Sequence, residues 1–224
     1  MFSAIIGASI LAVAGPVPKA TFLILLVRPA NATSYPPEKL QEIQAAHLKH
    51  LGDHYNLGHF RVAGPMMIDQ PIRGVVVAEA DSLRQAKEYA EADPAVRANR
   101  LAVEVYPWQI APVTYGKPIE PMKLVTHTMV LIDVSASNAG RPALLPAEAR
   151  AKFLKTLRPT QDYLLSGPIT GRAKYADCFV IPGPPTPDLE EKLRQHPIVR
   201  SGTGRPVILP WASGDGVLPA PTKQ

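Results

Sequence analysis

Three histidines, His47, His50 and His54, lie three and four residues apart in a segment whose apolar pattern predicts a helix. At 100° per residue, His47 falls in the middle of the leucine and isoleucine stripe that must face the core. A histidine there needs a hydrogen-bond partner, because an unsatisfied polar group is costly to bury. Asp93, at the end of the next predicted helix, is the candidate partner. An imidazole oriented by a carboxylate can exchange a proton near neutral pH, so the pair predicts general acid–base chemistry without a metal or a cofactor.

Two other interpretations of these residues remain open. In the first, His47 and Asp93 form a purely structural bridge, and the aspartate stabilises the turn that follows it. In the second, His47, His50 and His54 share a metal ion, since they lie within about 60° of one another on the helix and His59 follows closely. Because no nearby cysteine or zincin signature accompanies these histidines, we expect no metal site.

The elements that must position these residues belong to an internal repeat. Motifs at 63–66, 93–96 and 106–108 recur 103 residues later at 166–169, 196–199 and 209–211, and both tryptophans fall at equivalent positions. A shared offset predicts two modules of similar length. The predicted organisation is a leader at 1–20, module one at 21–112, a proline-rich linker at 113–122, module two at 123–212 and a loose polar tail at 213–224.

Each module shows the pattern β-α-β-β-α-β, which is typical of a ferredoxin-like fold. Module one is predicted to contain strands at 21–27, 60–63, 72–80 and 101–106 and helices at 38–55 and 83–92; module two, strands at 126–134, 163–167, 174–181 and 205–210 and helices at 146–157 and 187–195. Both helices of a module cover one sheet face and leave the other bare. The predicted fold class is therefore α+β, with two tandem ferredoxin-like modules that pair sheet to sheet as an intramolecular barrel.

The repeat also provides an internal control for the chemistry. An offset of 103 residues relates His47 to Arg150 and Asp93 to His196. Module two thus lacks both members of the candidate pair, and we expect any chemistry to belong to module one.

Composition and charge exclude several classes of protein. The 24 basic and 19 acidic residues give a net charge of +5 without a basic cluster, so no nucleic-acid partner is expected. No apolar run approaches the roughly 20 residues of a membrane-spanning helix. The single cysteine, Cys178, excludes an internal disulfide. We expect a monomer (a pseudo-dimer of modules) or a homodimer.

The amino terminus has features of an export signal. Residues 1–14 are apolar and uncharged, and they end in Ala12-Val13-Ala14, which fits the hydrophobic region and cleavage site of such a signal. No lysine or arginine precedes the apolar run. We therefore expect a periplasmic or secreted protein, with a cytoplasmic protein as the alternative.

Module one carries a series of motifs in a characteristic order and spacing, at 47–51, 58, 63–65, 73–74, 92–96, 100–101 and 104–108. In these motifs the chain resembles the YCII-related (YciI-like) proteins of the dimeric α+β barrel group. Module two keeps only the motifs around 167–168, 197–199 and 210–211 and resembles a diverged copy. The resemblance implies an active site formed by His47 and Asp93, and a fold shared with a dehydrochlorinase and with muconolactone isomerases.

Four further residues are candidates for substrate binding. Arg73 could place a guanidinium at the mouth of a pocket, although a surface role is equally open. Gly64 and Pro65 could approach a ligand, or they could simply shape a turn, and His50 lies near His47 on the helix.

The predicted function is that of a lyase or isomerase acting on a small, cyclic or aromatic substrate. The alternative is a non-catalytic ligand-binding or structural periplasmic protein. An enzyme requires that His47 lie within hydrogen-bond reach of Asp93 and border a cavity open to solvent.

Overall fold

The computed structural model of the chain describes residues 19–136, 145–157, 163–171 and 173–219. The predicted leader falls almost entirely at residues 1–18, outside the described residues, so export stays a prediction. Ala20, the last residue of the predicted leader segment, already begins a strand. No helix in the described ranges is both long and apolar enough to cross a membrane.

The first half of the described chain forms a four-stranded antiparallel sheet with the strand order β2-β3-β1-β4. Its elements are β1 (Ala20–Val27), α1 (Pro37–Asn56), β2 (Phe60–Pro65), β3 (Ile72–Ala80), α2 (Leu83–Glu91), α3 (Pro94–Arg97) and β4 (Ala102–Pro107). At the start of α2 the Ser82 hydroxyl accepts a hydrogen bond from the backbone N–H of Gln85, as the Ser-x-x-Gln spacing predicts.

The second half repeats this order of elements in a second antiparallel sheet, β6-β7-β5-β8. Its elements are β5 (Leu124–Asp133), α4 (Ala147–Thr156), β6 (Leu165–Pro168), β7 (Tyr175–Pro182), α5 (Leu189–Leu193), α6 (Pro197–Arg200) and β8 (Arg205–Gly214). Two such sheets are compatible with tandem ferredoxin-like modules. The predicted limits of the modules remain predictions.

The register of the two sheets shows that the offset of 103 residues does not hold for the first strand of each half. Val76 pairs with Ile24, whereas Phe179, which lies 103 residues after Val76, pairs with Val130, 106 residues after Ile24. The first strand of the second half is therefore displaced along the sequence relative to the strands that follow it.

The carboxyl-terminal segment differs from the loose tail that we expected. Strand β8 continues past Pro210 to Gly214, because Ala212 and Ser213 pair with β5. Ser213 is buried, and so is Val217 beyond the end of the strand. The described part of this segment is thus packed on the fold.

Buried residues from both sheets form one cluster between them, which includes Leu23 and Val75 from the first sheet and Met129 and Val180 from the second. Each sheet also has a cluster of its own on the opposite face, between the sheet and its helices. Contacts across the halves are reciprocal: the Trp108 indole N–H donates to the Gly167 carbonyl at 2.9 Å, and the Trp211 indole N–H donates to the Gly64 carbonyl at 3.1 Å. Three backbone hydrogen bonds also join the halves, from Met67 to Pro210, from Gln109 to Pro168 and from Thr170 to Pro107.

Candidate functional site

His47 and Asp93 lie in direct contact, with 2.6 Å between Nδ1 of the ring and Oδ2 of the carboxylate. Both residues are buried, with exposed fractions of 8% and 2%. The second carboxylate oxygen, Oδ1, accepts a hydrogen bond from the backbone N–H of Ala95 at 2.8 Å. An ionised carboxylate can only accept hydrogen bonds, so Nδ1 of His47 carries the proton. In the neutral form of the ring Nε2 carries no proton, and Nε2 makes no hydrogen bond within the part of the chain that the structure describes.

Local sequence explains why these two side chains meet. His47 is the only buried residue of α1, all of which is described. Asp93 caps the amino end of α3, and Pro94 follows at the first helical position, where its missing N–H costs nothing. The cap fixes the carboxylate, and the carboxylate in turn fixes the imidazole.

Two of the predicted substrate-binding residues have other partners. His50 donates from Nε2 to the carbonyl of Tyr89 at 3.0 Å. Arg73 forms an ion pair with Asp69, which also pairs with Arg28. The structure thus places Arg73 in a surface ion-pair network, and we assign no substrate contact to it.

Gly64 and Pro65 lie at the end of β2, where it approaches the other half of the chain. A Cβ atom at Gly64 would overlap the carbonyl oxygen of Ala212, and the Gly64 carbonyl accepts the hydrogen bond from Trp211. Pro65 is exposed and pairs with Gly74 of β3. These positions allow close packing of backbones, and substrate binding by Gly64 and Pro65 stays a prediction.

Three histidines form a cluster with two aromatic rings beside the pair. Nδ1 of His54 lies 3.2 Å from Nδ1 of His59, and the His54 ring stacks on Phe60 with 4.7 Å between centroids. His59 stacks on Tyr89 at 4.2 Å, and the His50 ring lies 4.4 Å from that of His54. The described residues contain no group of three or more histidine, cysteine, aspartate or glutamate side chains that could hold a metal ion. The structure thus gives the metal-site interpretation no support.

The lowered pKa of His54 within this cluster predicts that the protein is less stable at acidic pH. Burial, together with repulsion from His50 and His59, lowers the pKa of His54 from 6.5 to about 4, despite opposing attraction from Asp53 and Asp93. The unfolded chain therefore takes up a proton at a higher pH than the folded protein does. We expect the free energy of unfolding to fall as the pH decreases from about 6.5 to about 4. Urea unfolding across this range should show a shallower pH dependence for His54→Gln, and equal slopes would contradict this origin.

The second half contains a charged network that the sequence did not predict. The Arg150 Nε lies 3.0 and 2.9 Å from the two carboxylate oxygens of Asp177, and His196 Nε2 lies 3.3 Å from one of them. Asp177 is 1% exposed and His196 is fully buried. Module two thus has Arg150 and His196 at the positions equivalent to His47 and Asp93, and both side chains contact the carboxylate of Asp177 from β7. A lone aspartate in the apolar strand Tyr175–Pro182 was the only available signal.

A cavity of about 480 Å³ lies at one end of the second sheet, where the linker and the carboxyl-terminal segment meet β5. Tyr115 and His127 line it, together with apolar residues, and neither His47 nor Asp93 does. Neither lining residue was predicted from the sequence. The interruption of an apolar strand by His127 could have drawn attention to it.

Solved structures share this fold at low sequence identity. A mutant chlorite dismutase from Candidatus Nitrospira defluvii matches with a TM-score of 0.55 and 11% identity, over 88% of this chain and 92% of that one. Another variant of that enzyme matches with a TM-score of 0.55 and 12% identity, over 87% and 91%. A heme-binding protein from Thermus thermophilus matches with a TM-score of 0.48 and 12% identity, over 91% and 94%. At these identities the two chlorite dismutase matches support the fold alone, which is α+β with two four-stranded antiparallel sheets.

No curated protein sequence matches the chain. The family model of the YCII-related domain, however, matches residues 21–109. This segment contains both His47 and Asp93, and the match confirms the resemblance to the YCII-related proteins. Residues 21–109, which make up less than half of the chain, are thus similar to the YCII-related domain.

Proposed function

We propose that the protein catalyses proton transfer on a small molecule, in an isomerisation or elimination, with His47 as the general base and acid and Asp93 as the residue that orients it. The observation that carries this proposal is the 2.6 Å contact between His47 Nδ1 and Asp93 Oδ2, with the carboxylate fixed by the Ala95 N–H. A fixed tautomer with Nε2 unprotonated is the state that a general base requires.

In the proposed reaction, Nε2 of His47 removes a proton from a carbon atom whose electron pair is delocalised into an adjacent unsaturated group. The Asp93 carboxylate stabilises the imidazolium through the Nδ1–H that it already accepts. In an isomerisation, Nε2 returns the proton to a different carbon. In an elimination, the electron pair forms a double bond while the leaving group departs with its own bonding pair. Neither route changes the oxidation state of the protein.

A second candidate function is that of a non-catalytic ligand-binding or structural protein. The observation that favours it is that neither His47 nor Asp93 lines the 480 Å³ cavity, although an enzyme would need an open cavity beside His47. Asp93 would then serve only as the cap of α3 and as the partner of a core histidine.

The fold that supports the site is proposed to be an intramolecular barrel, in which the two sheets take the place of the two subunits of a dimer. The shared cluster of buried residues and the reciprocal tryptophan hydrogen bonds support this pairing. The similar arrangement of the halves supports an origin by tandem duplication.

The proposed chemistry predicts exchange of carbon-bound hydrogen with solvent. The wild-type protein in D₂O should introduce deuterium into a β,γ-unsaturated lactone as it isomerises. It should also release halide from a halogenated catechol: His47 as acid protonates the halogen-bearing carbon, and the halide then leaves with its bonding pair as both hydroxyl protons are lost, which gives the quinone. His47→Gln should lower the rate about 100-fold, because the general base is lost. Asp93→Asn should also lower it, since an amide cannot stabilise the imidazolium. NMR of the lactone and chloride release from the catechol provide the measurements.

Lys49→Ala is a suitable control, since Lys49 lies exposed on the same helix and should leave the rate unchanged. The proposal fails if His47→Gln keeps the wild-type rate, or if the wild-type protein acts on neither class of compound. The second result would favour the non-catalytic function.

A further inference from the structure

The cavity at the end of the second sheet is open to solvent on one side and apolar on its walls. Thr114 and Gly116 at its rim are exposed, and its volume is about 480 Å³. A volume of this size is typical of small-molecule sites. The side chains that form the walls are apolar: Val125, Leu164, Pro182, Leu218 and Pro219. The cavity therefore suits a small organic molecule that carries an apolar group.

Backbone hydrogen bonds fix the wall that the linker and the carboxyl-terminal segment form together. The N–H of Gly116 donates to the carbonyl of Val217 at 2.9 Å. The N–H of Asp215 donates to the carbonyl of Lys123 at 2.8 Å, and the carbonyl of Asp215 accepts from the N–H of Ile119 at 3.0 Å. Both backbone polar groups of Asp215 are thus engaged, and its carboxylate is the polar group that remains for the cavity.

The carboxylate of Asp215 is the charged group of the cavity lining. It forms no hydrogen bond or ion pair with any residue that the structure describes. Asp215 is half-buried, and its oxygens are not among the polar atoms that the fold closes off from solvent. The carboxylate also acts on the cavity: burial lowers the pKa of His127, another lining residue, and the negative charge of Asp215 opposes this effect. A ligand in the cavity can therefore reach an unpaired negative charge.

No fixed positive charge neutralises this carboxylate within the described ranges. The neighbouring lysines Lys117 and Lys123 are exposed and form no ion pair with it, and burial favours the neutral form of His127 because it lowers the pKa of the ring. A carboxylate beside apolar walls attracts a cation more strongly than one in bulk water, since the effective dielectric constant is lower there. The lining thus complements a molecule that joins an ammonium group to an apolar body, and it disfavours an anion.

We infer that this cavity is a second ligand site, separate from the His47–Asp93 pair, that binds a hydrophobic primary amine in its ammonium form. The ammonium group pairs with the carboxylate of Asp215, and the apolar body of the amine lies against the wall that contains Leu218 and Pro219.

Titration calorimetry of the full-length protein at neutral pH with benzylammonium, benzyl alcohol and methylammonium tests this site. Benzyl alcohol keeps the ring and replaces the charge by a hydroxyl group, whereas methylammonium keeps the charge and lacks the ring. We expect benzylammonium to bind about fivefold more tightly than benzyl alcohol, which is the effect of one partly exposed ion pair. Methylammonium should bind at least about fivefold more weakly than benzylammonium, because it buries no ring. Added NaCl should weaken the binding of benzylammonium and leave that of benzyl alcohol unchanged.

Conservative variants locate the binding. Asp215→Asn removes only the charge, and it should reduce benzylammonium affinity about fivefold. Its affinity for benzyl alcohol should stay unchanged, which also shows that the variant is folded. Leu218→Ala shortens the apolar wall and should weaken both ring-bearing probes. Asp53→Asn is the matched control, because Asp53 is an exposed carboxylate on α1 in the first half, and it should leave all three affinities unchanged.

The inference is overturned if benzylammonium does not bind, if benzyl alcohol or methylammonium binds as tightly, or if Asp215→Asn keeps the wild-type affinity for benzylammonium. Loss of binding in His47→Gln but not in Asp215→Asn would also overturn it, since the amine would then lie at the His47–Asp93 pair. Equal losses in Asp215→Asn and Asp53→Asn would show a non-specific attraction to acidic residues instead of a site.

Discussion

Replacing Asp177 by alanine is expected to lower the free energy of unfolding by about 3–5 kcal/mol, the loss typical of a buried ion pair that loses one partner. Asp177 is 1% exposed, and it accepts from both Arg150 and His196. The guanidinium of Arg150, whose Nη2 is already without a partner in the described residues, would remain buried without a counter-charge. Equilibrium urea unfolding of the two proteins measures the difference.

The exposed pair of Lys49 and Asp53 provides the control. Asp53→Ala should cost less than about 1 kcal/mol, because solvent screens the charges. In addition, Arg150→Met combined with Asp177→Leu should recover part of the loss, since apolar residues of similar volume often replace a buried pair without penalty. A cost for Asp177→Ala no larger than that for Asp53→Ala would show that the network does not stabilise the fold.

The two halves place different chemistry on the same backbone framework. Asp93 and His196 both precede a short helix with the same backbone angles, φ −59° and ψ 128°. In the first half the carboxylate occupies this position, and the partner histidine comes from the long helix. In the second half the histidine occupies it, fully buried, with Nδ1 unpartnered among the described residues. His196 is thus sealed from any substrate, which supports assigning proton transfer to the first half.

Regular periodicity made the major elements predictable from the sequence. The runs at 72–80 and 83–92 coincide closely with β3 and α2, because alternation, a capping box and proline positions act locally. The helices α3 and α6 contain only four residues each, about one turn, which is too short for a periodic signal. Strand β8 passes through Pro210 and ends at Gly214, beyond the predicted limit of 210.

The His47–Asp93 pair could be predicted from the sequence, whereas the Asp177 network and the cavity could not. His47 and Asp93 each had a local signal, a position on a helix face and a position before proline, and the family resemblance joined them. Asp177 had no comparable signal in the sequence. Its partners lie in other segments: Arg150 in α4, and His196 in the turn before α6. The cavity joins Tyr115 to residues about a hundred positions later, so no pattern along the chain could reveal it.

Substitution of Gly64 by alanine is expected to lower the free energy of unfolding by about 3 kcal/mol, at the upper end of the usual cost of overpacking. The added Cβ would overlap the carbonyl oxygen of Ala212 in the other half, and a backbone atom cannot move aside as a flexible side chain can. Relief of the overlap would separate the strand ends and break the hydrogen bond from Trp211 to the Gly64 carbonyl. Thermal and urea unfolding measure the loss.

Gly52→Ala is the matched control for this test of sheet pairing. No atom lies within 4 Å of a Cβ at Gly52, which is inside α1, so this variant should gain roughly 0.5–1 kcal/mol from helix propensity. Gly167→Ala should resemble Gly64→Ala, because its Cβ would overlap the carbonyl oxygen of Gln109 across the same boundary. If the two sheets did not pair, Gly64→Ala and Gly167→Ala would meet no overlap and would be tolerated. Losses near 3 kcal/mol in both, with a gain in Gly52→Ala, are therefore the pattern expected of a barrel closed by the two sheets.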